Sequence, residues 1–230
     1  MSDQRLIVAM DFASLDAALR LAEKIQPESC RLKVGHQLYT AAGPDAVRRL
    51  TDMGFEIFLD LKYHDIPNTV ANACRAAADL GVWMVNVHAA GGPAMLEAAV
   101  AAVGSSGPRV IGVTILTSID ARQYEQIGYQ GELADQVTKF AVLAQSSGLD
   151  GVVCSAQEAR ALRSRLGEDF LLVTPGIRPN GADLGDQQRV MTPAAAVAAG
   201  SDYLVIGRPI TQAKDPRQVI QTIQGELELP

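Results

Sequence analysis

Eight times along the chain, a short apolar run is followed by an alanine-rich stretch that carries helix signals. The apolar runs fall at 5–11, 29–35, 55–62, 82–88, 109–116, 149–154, 169–175 and 201–207. In Leu6-Ile7-Val8-Ala9-Met10 and Leu204-Val205-Ile206 both parities are apolar. Side chains alternate between faces along a strand, so such runs need cover on both sides, as parallel strands wrapped by helices have. Between the runs, Pro44, Pro67, Pro93, Pro193 and Pro216 sit where a first helical turn tolerates a residue without an N–H. Ser155 and Glu158 have capping-box spacing. Gly54, Gly81, Gly148 and Gly200 follow helical stretches, where the chain leaves a helix in a left-handed conformation.

Eight βα units in 230 residues predict an α/β chain folded as one (β/α)8 TIM barrel, with 1–230 a single domain. An open doubly wound sheet is the competing architecture. It would place a glycine-rich dinucleotide loop after the first strand, where Asp11-Phe12-Ala13-Ser14 stands instead. The net charge of −6 has no basic block within it, which argues against a nucleic-acid partner. Cys30, Cys74 and Cys154 form no CxxC pair and read as buried, reduced thiols. The N-terminus lacks the basic and apolar segments of a signal peptide, and no apolar run nears the ~20 residues of a membrane span. A cytoplasmic protein with no membrane partner is expected.

Barrel enzymes carry their functional groups at the C-terminal ends of the strands. Read in order, those ends present Asp11, Lys33, the pair Asp60 and Lys62, His88, then Thr117-Ser118, Arg178 and Gly207-Arg208. Asp60 and Lys62 are two apart and share a strand face, with Phe58 beneath Asp60, while Ile57, Leu59 and Leu61 face the helices. Alone, that pair reads equally as an ion pair closing the barrel. Lys33 and Asp65 extend it to an alternating Lys-Asp-Lys-Asp array, which neutralises itself while keeping a strong local field.

Phosphate sites in this fold use the loops after the seventh and eighth strands. Arg178 and Arg208 fall there, and the long loop from Gly176 to Gln187 suits a lid. Each arginine alone also reads as a solvated surface residue. His36, His64 and His88 lack metal-ligand spacing, so no metal is expected. His88 reads as a structural histidine or an acid, and Ser155, without a base nearby, as a helix cap.

The run Asp60-Leu61-Lys62-Tyr63-His64-Asp65-Ile66-Pro67-Asn68-Thr69 closely resembles the signature of the orotidine 5'-phosphate decarboxylase family. The resemblance extends over nearly the whole chain. It includes Val8-Ala9-Met10-Asp11, Arg31-Leu32-Lys33-Val34-Gly35, Val85-Asn86-Val87-His88-Ala89, Leu116-Thr117-Ser118, Thr174-Pro175-Gly176-Ile177-Arg178-Pro179, Gly185-Asp186-Gln187 and Val205-Ile206-Gly207-Arg208-Pro209. It implies a cofactor-free homodimer, with sites shared across its interface, that acts on a nucleotide in UMP biosynthesis. On that basis Lys62 donates the proton to C6, Asp60 flanks the departing carboxylate, and Asp65 and Thr69 act across the interface. Asp11 and Lys33 would bind the ribose, and Lys33 would also join the charge network. Thr117 and Ser118 would meet the pyrimidine, Gln187 would bridge base and phosphate, Gly207 and Arg208 would hold the phosphate, and Arg178 matches a family binding position.

Two rivals remain. A sugar-phosphate decarboxylase or aldolase of the same superfamily shares the Asp-x-Lys-x-x-Asp run but resembles this chain less at strand two, where it binds magnesium through an acidic residue. Lys33 stands there and repels a cation. A silent phosphate sensor on a barrel scaffold has no need of a proton donor such as Lys62.

Overall fold

A computed structural model describes residues 4–179 and 190–227. Eight parallel strands close into a barrel: β1 Leu6–Ala9, β2 Arg31–Gly35, β3 Ile57–Tyr63, β4 Met84–His88, β5 Arg109–Val113, β6 Gly151–Val153, β7 Leu171–Thr174 and β8 Tyr203–Ile206. The ring shuts where Leu6 pairs with Leu204 and Val8 with Ile206. Each strand lies within one of the eight expected runs, apart from Tyr63, which extends β3 by one residue. β5 ends at Val113, so the run expected to 116 leaves the sheet earlier.

Strand parity divides the core in two. Ile7, Ala9, Phe58, Met84, Ile111, Val173, Tyr203 and Val205 fill the barrel interior. Their neighbours, among them Leu6, Val8, Leu32, Ile57 and Leu59, pack against the helices. A packed interior of this kind leaves function to the rims.

The helix punctuation acts as the residue types require. Helices begin at Pro44, Pro67, Pro93, Pro193 and Pro216. Ser155 and Glu158 form the reciprocal capping box. Gly54, Gly81, Gly148 and Gly200 take φ of 94°, 74°, 83° and 108°, values that a Cβ would make costly. A second capping box, Asp120 with Gln123, opens the helix Ala121–Gln126 after β5.

Candidate active site

The C-terminal rim opens into a cavity of about 530 Å³. Ala9, Phe58, Val113, Val153 and Val205 line its apolar part. Around the mouth stand Asp11, Lys33, Asp60 and Lys62 from the first three strands, Thr117 and Ser118 after β5, and Arg178, Gly207 and Arg208 after β7 and β8. Nine of the expected site residues are thus brought to one cavity.

The charges form one chain of contacts. Lys33 Nζ lies 3.2 Å from Asp11 Oδ1 and 3.1 Å from Asp60 Oδ2, and Lys62 Nζ lies 2.6 Å from Asp60 Oδ1. Lys33 and Asp60 are only 9% and 8% exposed. Burial pushes the Asp60 carboxyl up, but Lys33 and Lys62, with hydrogen bonds from Lys62 and Asn86, hold it at about 2. Burial likewise pulls the Lys33 ammonium down, and the charges of Asp60 and Asp11 outweigh it and raise its pKa. Each buried charge is stable because its partner is present. Gly35 makes room for this chain: a Cβ there would meet Lys33 Nζ at 2.9 Å and Asp11 Oδ1 at 3.3 Å.

Parity alone does not bring Lys62 to Asp60. The register of β3 against β4 shifts between Leu59 and Tyr63, and Lys62 takes φ 49°, in the left-handed region. That conformation costs roughly 1–2 kcal/mol for a residue with a Cβ. Among the described residues no other non-glycine residue adopts a positive φ.

Asp65 and Thr69 stand apart from the array. Asp11 completes the alternation within the chain, whereas Asp65 Oδ1 accepts from the Ile66 N–H at 2.6 Å. Both residues are exposed, and they line a second hollow of about 440 Å³ with His64 and His88. Lys62 borders both hollows. The His64 and His88 rings lie 5.2 Å apart. Burial, the positive fields of His64, Lys62 and His36, and only partial relief from Asp60 push His88 down to about 4. His88 therefore stays neutral at neutral pH.

Arg178 is 8% exposed, which removes its reading as a solvated surface residue. Its guanidinium donates to the Ile177 carbonyl at 2.9 Å, and its backbone N–H donates to Met191. Arg208 is exposed and opens the short helix Arg208–Thr211. Gln187 and most of the expected lid, 180–189, lie outside the described residues. Two residues at the site carried no expected role, Gln212 at the cavity rim and Asn86 behind the array. Asn86 left a signal, since it is an amide at an inward position of the apolar strand Met84-Val85-Asn86-Val87-His88.

A closed barrel with a self-neutralised charge array and arginines around one mouth has the makings of an enzyme for a small anionic substrate. The amino-acid sequence narrows that class. The chain belongs to the Orotidine 5'-phosphate decarboxylase / HUMPS family, whose model matches residues 4–223. It is 60% identical over 225 residues to the orotidine 5'-phosphate decarboxylase of Halorhodospira halophila, covering 97% of this chain and 95% of that protein. The corresponding protein of Hydrogenovibrio crunogenus is 57% identical, over 98% and 96% of the two chains. Among solved structures, the orotidine 5'-phosphate decarboxylase from Lactobacillus acidophilus superposes with a TM-score of 0.88 at 38% identity, covering 99% of this chain and 100% of that one. The enzyme from Pyrococcus horikoshii OT3 superposes at 0.80 with 26% identity, covering 98% and 100%.

Proposed function

We propose that the chain converts orotidine 5'-phosphate to uridine 5'-phosphate and carbon dioxide, with Lys62 as the proton donor. The observation that carries this reading is the Asp11–Lys33–Asp60–Lys62 chain at the cavity wall. When the bond from C6 to the carboxyl carbon breaks, its electron pair stays on C6. The Lys62 ammonium then gives its proton to C6, and the resulting amine is reprotonated from water. An ammonium about 4 Å from the developing carbanion is worth roughly 4 kcal/mol at an effective dielectric near 20. That gain grows with the charge, so it favours the transition state over the ground state. Asp60, held ionised by its lysines, keeps a fixed anion between Lys33 and Lys62.

The remaining roles are those that the family resemblance implies. Asp11 and Lys33 take the ribose hydroxyls, and Thr117 and Ser118 the pyrimidine edge. Gly207 and Arg208 take the phosphate, Gln187 bridges base and phosphate, and Arg178 matches a family binding position. A Cβ at Gly207 would meet only Ala9 Cβ, at an ordinary 3.5 Å, which leaves a small residue there for a ligand to approach. Lysine at position 33 favours this reaction over the magnesium-dependent chemistry of the rival, because it repels a cation where an acidic ligand would be needed.

The direct test is the loss of ultraviolet absorbance of orotidine 5'-phosphate with chelator present. Turnover under those conditions is expected. Its absence, or dependence on added magnesium, would overturn the assignment.

We propose further that the enzyme works as a homodimer in which Asp65 and Thr69 serve the partner's site. Ile66, between them, is 66% exposed, as an interface residue viewed in one chain would be. Mixing inactive Lys62→Ala and Asp65→Ala protomers should restore part of the activity, since one site of each hybrid is then intact. No recovery would mean that each chain builds its own site. A cytoplasmic location is proposed on the three buried free thiols, Cys30, Cys74 and Cys154. Among the described residues no helix is long and apolar enough to cross a membrane.

A further inference from the structure

The bulge in β3 leaves a gap in the ladder at the point where the catalytic pair sits. Leu59 pairs with Val85 and Tyr63 with Val87, so three residues of β3, Asp60, Leu61 and Lys62, face the single residue Asn86. Bulges of this kind re-aim a side chain and leave backbone groups without ladder partners. Here the Asn86 side chain supplies what the ladder lacks. Its Oδ1 accepts from the Lys62 N–H at 2.8 Å, and its Nδ2 donates to Asp60 Oδ1 at 2.7 Å. Asn86 is fully buried and lies behind the array rather than on the cavity wall.

We infer that Asn86 is a positioning residue for the decarboxylation, a side-chain rung that holds the left-handed Lys62 backbone and the Asp60 carboxylate in one rigid geometry. This rests on the proposed function. The amide is suited to the task because it presents one acceptor and one donor a fixed distance apart. The acceptor fixes where the lysine side chain starts. The donor fixes the carboxylate to which the same lysine bonds at 2.6 Å. Both ends of the Lys62–Asp60 contact are therefore set by one residue that meets no substrate. Misplacing a reacting group by about 1 Å costs on the order of 100-fold in rate.

Two variants of the full-length enzyme test this. Asn86→Ala is expected to lower kcat by ten- to a hundredfold per folded molecule while KM moves less than threefold, since the ribose and phosphate contacts stay. A role in folding alone would lower the melting temperature and leave kcat per folded molecule unchanged. Asn86→Asp keeps the shape but puts a second carboxyl against Asp60. Protonated, it restores one donor and one acceptor; ionised, it repels Asp60. The ratio of its kcat to the parent's should therefore fall at least tenfold as pH rises from 6 to 9, through a titration absent from the parent. If Asn86→Ala does not fold, that ratio decides by itself, and a flat ratio overturns the inference. An inactive parent would instead overturn the reading on which the inference rests.

Discussion

At the N-terminal end of the barrel the Arg31 guanidinium lies 4.1 Å over the Trp83 ring and 5.3 Å from that of Tyr203. Glu56 sits 2.8 Å from its Nε. At the other end Lys33 and Lys62 meet carboxylates, and a cavity of about 530 Å³ opens beside them. Both ends remove cations from water, and they compensate in different ways. At the floor, the Glu56 carboxylate is joined by ring faces that attract the guanidinium while their bulk fills the barrel. At the mouth, carboxylates alone do the compensating, and among the described residues no ring fills the cavity beside them. The first arrangement closes the barrel, and the second keeps a field directed at a space that a ligand can enter. The difference teaches that buried charge by itself does not mark a site; it does so where the charge borders a hollow.

That contrast can be broken experimentally, and the largest effect belongs to the mouth. Lys62→Ala should lower kcat by about 10³-fold or more, as expected when a proton donor and a transition-state charge are lost together. Stability should fall as well, though less, because Asp60 loses one of its two lysines and keeps Lys33 and the Asn86 amide. Steady-state kinetics beside urea unfolding would check both halves. A loss of kcat below tenfold would deny Lys62 its role.

The next effect belongs to the floor. Trp83→Ala removes the ring under Arg31 and its edge contact with Tyr203, whose centroids lie 5.1 Å apart. Full truncation of a buried tryptophan costs about 3–5 kcal/mol, and Trp83 is partly exposed, so about 2–3 kcal/mol is expected in urea unfolding. The kcat per folded molecule should stay within twofold. Parallel losses of stability and kcat would show that the two ends are coupled, and the division of labour drawn above would fail.

The same contrast explains which features are legible in the amino-acid sequence. Strand positions, first-turn prolines and C-cap glycines are local, each set by a few neighbouring residues, and they emerged where the residue types placed them. Lys33, Asp60 and Lys62 were legible as an array because they lie near strand ends, which barrel geometry gathers, whereas Asp11, read at a strand end but outside the array, joins it through Lys33. The bulge at Asp60–Lys62 was not, since it depends on how many residues of β3 oppose Asn86 on β4. Counting along one strand gave the right face for Lys62 but missed the left-handed turn that delivers it. The Asp120 capping box went unread because the apolar run before it was extended to 116, beyond the end of β5 at Val113. Arg31, Trp83 and Tyr203 look unrelated in sequence, and only closure of the ring between β1 and β8 brings them together.

The smallest expected effect lies beside the mouth, and its sign follows from His88. The folded chain holds this imidazole down at about 4, from an ordinary value of 6.5. Between those values the unfolded chain binds a proton that the folded chain refuses. Stability therefore falls as pH drops through that window and is complete above it. Asp60 acts in a different window. Its carboxyl is held at about 2, so its contribution is present above its ordinary value and is lost only as pH falls from about 4 towards 2. The two can be separated by recording melting temperature against pH for the parent and for His88→Gln. The parent should lose stability from pH 6.5 downward, whereas the variant should stay nearly flat until about pH 4. A variant curve that follows the parent's between pH 6.5 and 4 would show that another group carries the acid sensitivity, and the neutral state of His88 beside Lys62 would then be no part of how the mouth keeps its charge balance.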